Sequence, residues 1–413
     1  MNKNFLKIII NDGVVTVATQ TFNLFLIWYF AVKLHRQDMV ALLGTLQIIG
    51  IVGGPVGGAV ADMVNPAKIL KWVSLIRIFV TSILFFSLFQ THTNIIIWLL
   101  LIFSTLNSLI SVFYASAVEV STYKFAKNES ERVKNNAGFS AVSEISSILS
   151  GSLLAIMITY LDLKSSTILI IFLIILSVIG ILNISTAKNI IPDVINNSDV
   201  NFKFNEAVSS TFKGLRNILH EPIIQTVIPY ALIMNFLYWT FWYIQPLYLN
   251  YKIPNIKYAF SLQQIVISVA SVIATIVIQR KHTLVMNYKG HYRLLLLIQS
   301  GALFLLSLLY AFINSEKILI TGLICFWALY SLFNSFTGII LITLLQEKID
   351  NKILGTTLGT IFTLLMVTAP LAAIASKTVP IKSISLIILT GLMVVSLLYA
   401  LTDKRFLEVL HDD

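Results

Sequence analysis

Apolar residues run along this chain in long blocks separated by short polar connections. A helix needs about 20 apolar residues to cross the hydrocarbon core of a bilayer. Twelve blocks reach that length, near 7–32, 39–61, 68–90, 94–117, 137–160, 165–187, 222–249, 257–279, 293–313, 317–341, 354–376 and 381–402. The pattern predicts an all-α integral membrane protein with twelve transmembrane helices. Only the connection 188–221 is long. It opens polar at Asn196, Asn197, Ser198 and Asp199, then places Val208, Phe212, Leu215 and Leu219 at helical spacing beside Lys213 and Arg216. Such a stretch predicts an amphipathic helix lying on a membrane surface. The expected organisation is a six-helix lobe over 1–187, a linker over 188–221 and a second six-helix lobe over 222–413.

Composition supports that reading. Hydrophobic residues make up 57% of the chain and charged ones 12%, with a mean hydropathy of +0.86. A soluble domain carries about 25% charged residues. The net charge of +10 could point to nucleic acid, but in a membrane protein lysine and arginine gather in cytoplasmic loops and set orientation. With the N-terminus inside, twenty of the 29 basic residues fall on the inner side, eight on the outer side, and Arg77 within a span. Both termini and the linker are therefore expected in the cytoplasm. Lys3 and Lys7 precede an apolar block that no small-residue cleavage site closes, so this block reads as a first span, not a removable signal. Cys325 stands alone and excludes an intramolecular disulfide.

The most specific local motif follows the second block: Gly57-Gly58-Ala59-Val60-Ala61-Asp62-Met63-Val64-Asn65-Pro66-Ala67-Lys68. It resembles the signature of major facilitator superfamily transporters between spans two and three, with Gly58, Ala61, Asp62 and Lys68 at matching positions. Met63 stands where a basic residue is usual and Asn65 where glycine is usual. Small residues let neighbouring helices approach closely, and Asp62 could latch one mouth of a pathway through a helix N-terminus or a cation. Gly58, Asp62 and Lys68 are thus gating candidates. The stretches Gln346-Glu347-Lys348-Ile349 with Leu354-Gly355, and Gly214-Leu215-Arg216 with Glu221-Pro222, look like the twelve-span drug:proton antiporters that include bacterial macrolide-efflux proteins. The span-five antiporter motif of that group is reduced here to Ser150-Gly151. The resemblance implies a major-facilitator fold, a central cavity, alternating access and efflux of the multidrug-resistance kind from a bacterial cell membrane. The two halves also echo each other, Asn107-Ser108-Leu109 against Asn334-Ser335-Phe336, as parallel half-repeats do.

Ionisable groups inside spans are costly and mark function by default. Asp12, Arg77 and Glu144 are the three clearly within apolar blocks. Asp12 heads a polar face with Thr16, Thr19, Gln20 and Asn23, and Glu144 shares one with Ser140, Ser143, Ser147 and Gly151. A carboxyl in a partly desolvated, water-reached cavity can exchange a proton near neutral pH. Asp12, Glu144 and Arg77 are the proton-coupling candidates. The plainer alternatives are an interfacial Asp12 near a helix start and a structural Glu144–Arg77 ion pair.

The second half carries amides and aromatics instead: Asn235, Tyr238, Trp242 and Gln245 near one face of span seven, and Asn334 on span ten. Together with Gln20, Asn23, Asn107 and Tyr114 they form the expected substrate-binding set, suited to a bulky amphipathic compound. The alternative for Tyr243 and Tyr248 is an interfacial aromatic belt. No histidine falls in a span, and neither a metal-ligand cluster nor a nucleotide-binding loop nor a nucleophile–base arrangement is visible. The expected function is secondary active transport: proton-coupled efflux of a lipophilic drug-like or peptide-like small molecule. Uptake, uncoupled transport and a non-transporting receptor or immunity protein are the alternatives. The expected partners are that small molecule, protons and the lipid bilayer, without nucleic acid, cofactor or metal, in a monomer.

Overall fold

In hydrocarbon each backbone N–H and C=O must find its partner within the protein, which favours helices throughout a chain of this pattern. The computed structural model describes residues 3–124, 129–185, 222–280, 291–348, 354–378 and 384–400, and within some helices the side chains of a few positions are not covered. The elements in order are α1 (Lys3–Trp28, continued by a π-helical turn Tyr29–Lys33), α2 (Gln37–Leu46), α3 (Ile48–Met63), α4 (Pro66–Ser87), α5 (Thr93–Lys124), α6 (Glu129–Tyr160), α7 (Leu163–Ser185), α8 (Pro222–Lys252), α9 (Ala259–Arg280), α10 (Tyr292–Phe312), α11 (Glu316–Lys348), α12 (Leu354–Thr378) and α13 (Ile384–Ala400). No strand occurs among the described residues. The amphipathic helix expected within 188–221 lies outside them.

Nine helices among the described residues are long and apolar enough to cross a membrane, and three shorter apolar stretches cover Gln37–Ile51, Thr363–Lys377 and Leu389–Leu398. The expectation of twelve full-length spans differs at these three places. The block 39–61 is broken at Gln47, between α2 and α3. In the blocks 354–376 and 381–402, part of the length falls outside the described side chains.

Helix starts follow local chemistry. Asn65 accepts a hydrogen bond from the Ala67 N–H at 2.9 Å with Pro66 in the first turn, so the residues after α3 form the N-cap of α4. Asp162 accepts from the Ser165 N–H at 2.8 Å ahead of α7, and the Ser165 hydroxyl, with this N–H second, holds its carboxyl below the usual carboxylate range. Interior prolines at Pro229, Pro246 and Pro370 are tolerated in α8 and α12, as membrane helices allow.

The chain divides into two compact units, Met1–Tyr29 with Leu46–Ser210, and Phe30–Thr45 with Thr211–Asp413. In the first, α1 packs on α6 and α7, α3 and α4 pack on α5, and α4 packs on α7. In the second, α8 packs on α12, α9 and α10 pack on α11, and α10 packs on α13. The main pairings correspond helix for helix, but α1 lies along α7, whereas α8 meets α13 at only a few points. Large apolar side chains such as Trp72, Phe79, Phe89, Phe172 and Phe312 are exposed. A soluble protein rarely shows so much apolar surface.

Although early in the chain, α2 folds with the second unit. Gln37 Nε2 donates to the Tyr243 carbonyl at 3.2 Å, and a Cβ on Gly44 would run into Ala373 and Tyr243. The link before α2 turns through His35 at φ 53°. It is braced by Arg36, which donates to both Asp38 oxygens at 2.8 and 2.7 Å. The same bonds hold the Asp38 carboxyl below its ordinary range.

Candidate functional site: polar and aromatic clusters within the two units

Helix α4 packs between α5 and α7, which carries Arg77 into the interior of the first unit, where it is 1% exposed. Its Nη2 donates to Ser111 Oγ on α5 at 3.1 Å. Its guanidinium carbon stands 4.9 Å from the centroid of the Tyr114 ring, a cation–π contact. The Tyr114 hydroxyl accepts a hydrogen bond from Asn11 Nδ2 at 3.1 Å. Asp12, next to Asn11 on α1, is the carboxylate whose field reaches Arg77. The two do not touch: no ion pair within 4 Å joins Asp12 to Arg77. Arg77 Nε and Nη1 have no hydrogen-bond partner. A buried cation with donors unspent is costly, so Tyr114, Ser111 and the nearby Asp12 charge are what hold it.

Close helix approach shapes this cluster. A Cβ on Gly180 of α7 would collide with Asn11 Oδ1, and Gly50 lies against Ser108 in the same way. Further along α1, Gln20 accepts from Ser147 Oγ at 3.2 Å and Asn23 accepts from Ser104 Oγ at 3.2 Å. The polar faces of α1 and α6 thus meet at Gln20–Ser147. Glu144 lies half-buried on α6 and makes no ion pair with Arg77. The alternative of a structural Glu144–Arg77 pair is corrected on that ground: α4 packs on α5 and α7, not on α6. Asn107 is buried with its Oδ1 unpartnered.

Of the gating candidates, Gly58 and Asp62 fall within α3, and their side-chain surroundings lie outside the described residues. Lys68 is exposed in the first turn of α4. Gly57, one residue earlier in the motif, faces α5, where an added Cβ would stand 3.0 Å from Val112 Cγ1.

In the second unit the candidates gather into an aromatic interior. Tyr238 stacks on Tyr330 (5.6 Å between centroids, 9° between planes) and lies 5.7 Å from Trp242. Trp327, fully buried, meets Tyr238, Phe241 and Tyr330 edge-on. Tyr243 and Tyr248 are 0% and 3% exposed, and Tyr248 stacks on Tyr310 at 4.3 Å. The belt alternative for these two tyrosines is thereby corrected, because a belt residue keeps its ring at the lipid boundary. Gln245 is 1% exposed, and neither end of its amide finds hydrogen-bond geometry. Asn235 Nδ2 donates to the Leu365 carbonyl and to Thr368 Oγ1 at 2.9 Å, tying α8 to α12. Asn334 accepts from Gln299 Nε2 at 2.9 Å.

The sequence reading did not single out Asn11, Gln299, Tyr310, Trp327 or Tyr330. Asn11 adjoins Asp12 within an apolar block, which is a usable signal. The others lie among ordinary apolar residues on helices whose neighbours the sequence does not reveal.

A family model described as Major Facilitator Superfamily matches residues 8–373. Among solved structures, the chain is similar to the nucleoside transporter NupG, with a TM-score of 0.69, 13% identity, and coverage of 97% of this chain and 100% of that one. It is also similar to a peptide transporter POT (TM-score 0.73, 11% identity, 99% and 96% covered). A third is a POT family transporter in complex with 5-aminolevulinic acid (TM-score 0.72, 10% identity, 97% and 96% covered). At these identities the likeness is one of fold. No curated protein sequence matches the chain.

Proposed function

Given that the chain belongs to the Major Facilitator Superfamily and is a multi-pass membrane transporter, we propose that it couples proton entry to efflux of a lipophilic, drug-like or peptide-like compound by alternating access. The observation that carries this reading is the Asp12–Arg77–Tyr114–Asn11 cluster. A carboxyl near a buried cation, without direct contact, can change protonation without first breaking a tight ion pair. When Asp12 is ionised its charge offsets Arg77. When it is protonated, Arg77 is left with Ser111 and the Tyr114 ring, and the packing of α1 against α5 is biased differently. That is how a proton can shift a two-state element. Glu144, on the α6 face that meets α1, is the second proton-handling candidate.

The aromatic and amide interior of the second unit supports a flat, amphipathic substrate. Tyr238, Trp242, Gln245, Asn334 and Asn235 are assigned to it, with Gln20, Asn23, Asn107 and Tyr114 from the first unit. Nine long apolar helices and three shorter apolar stretches support twelve crossings. The distribution of lysine and arginine supports cytoplasmic termini, and the resemblance to bacterial efflux proteins supports a bacterial plasma membrane. We assign a monomer, lobes of 1–187 and 222–413 in chain order with α2 folded onto the second, and gating by Gly58, Asp62 and Lys68.

The test is flux in proteoliposomes under an imposed pH gradient across a panel of lipophilic drugs and short peptides. Gradient-driven flux should be present in the wild type, lost in Asp12→Asn and reduced in Glu144→Gln. Flux that ignores the gradient, or that survives both substitutions, overturns proton coupling. Uptake with the gradient reverses the direction, and no flux for any compound favours a non-transporting role.

A further inference from the structure

The seam that breaks the repeat contains a groove of about 660 Å³ formed by α8, α12 and α13. We propose that this groove holds an acyl chain of a membrane phospholipid, retained as part of the folded second unit. The walls are hydrocarbon, including Leu232, Phe236, Leu364, Val367, Leu389 and Met393. Two hydroxyls reach the lining, and both are already committed. Thr368 donates to the Leu365 carbonyl at 2.6 Å and Ser396 to the Met393 carbonyl at 2.8 Å. No free donor is left to select a polar ligand, and an apolar space of this kind does not hold water.

The rim identifies the source. Ile233, Leu371 and Leu392 are 41%, 54% and 63% exposed, in helices that run through the hydrocarbon, where the surrounding molecules are lipids. The corresponding seam of the first unit needs no filler, because α7 closes directly on α1 with Gly180 against Asn11. In the second unit α8 and α13 barely meet, and interiors tolerate few voids above the size of a water molecule. The wall behind the groove is the Asn235–Thr368 tie, so the chain packs against the joint that sets α8 on α12. The volume lies within the range of small-molecule sites, larger than a single side chain could fill.

The full chain is reconstituted in phosphatidylcholine–phosphatidylglycerol vesicles containing a phospholipid with a diazirine on its acyl chain. One sample is irradiated in the vesicles and another after extraction into detergent. Crosslinks are mapped by mass spectrometry. Labelling at Leu364, Val367, Leu389 and Met393 should exceed that at the open positions Phe79 and Phe172 several-fold. It should survive extraction while labelling at Phe79 and Phe172 is lost. Ser396→Leu and Leu389→Phe, each tested alone for folding by thermal melting, should reduce groove labelling without changing Phe79. Groove labelling equal to that at Phe79, or lost equally on extraction, overturns the proposal. So does displacement of the label by compounds that the protein transports, which would assign the groove to substrate. The wild-type comparison alone decides the matter should both variants fail to fold.

Discussion

Arg77 is the residue on which the first unit turns. Its burial is paid for by three unlike partners: a hydroxyl, an aromatic face and the field of a carboxylate not in contact. Removing one partner of a buried charge pair costs about 3–5 kcal/mol, whereas removing both can be nearly neutral. Asp12→Asn and Arg77→Met should therefore each lower the melting temperature of the purified protein. The double variant should recover much of the loss, and a double-mutant cycle measures the recovery. Strictly additive losses would show that the two groups do not interact. Asp12 and Arg77 were legible in the sequence because ionisable residues in apolar blocks are rare. Their partnership was not. Spacing along one helix says which residues share a face, but not which helix comes alongside, and Glu144 was an equally good partner for Arg77 on that information. The packing of α4 on α5 and α7 decides it.

At the scale of elements, most helix positions followed from the apolar blocks, and the departures fall where small residues or caps act. The block 39–61 reads as one continuous span, yet it divides at Gln47 and its first half folds with the second unit. Gly44 makes that possible, because it has no side chain to strike Tyr243 and Ala373. Gly44→Leu should lower the melting temperature by several degrees, since overpacking costs about 1–3 kcal/mol. Gly301, which has nothing within 4 Å of an added Cβ, should accept alanine with little change. Asn65 shows why a departure from the signature motif need not be erosion. Where glycine is usual, this chain places an N-cap ahead of Pro66. Asn65→Ala should cost about 0.5–2 kcal/mol and Asn65→Gly only a few tenths, measured by thermal unfolding in detergent. Equal costs for the two would remove the capping role.

Across the whole molecule, one helix plan is built twice with different chemistry. Ser108 lies against Gly50 of α3, and Ser335 donates to Ser271 of α9 at 3.3 Å, so the serines of the sequence echo do occupy corresponding seams. The neighbouring asparagines do not correspond. Asn334 bridges to Gln299 on α10, and in the first unit the bridge from α5 to α4 is Ser111 with Arg77. A neutral amide pair therefore stands where the other unit has a cation, a contrast that the local match of Asn107 with Asn334 hid. Interhelical polar pairs in membranes contribute about 0.6 kcal/mol on average. A cycle over Gln299→Ala and Asn334→Ala should return a coupling of that order, constant from pH 5 to 8 because neither side chain titrates. The Asp12–Arg77 coupling should instead weaken on acidification, once the carboxyl takes up its proton. Gradient-driven flux should then keep its pH profile in Gln299→Ala and lose it in Asp12→Asn. A shifted profile in Gln299→Ala would mean that proton handling is shared between the units, and its confinement to the first unit would have to be given up.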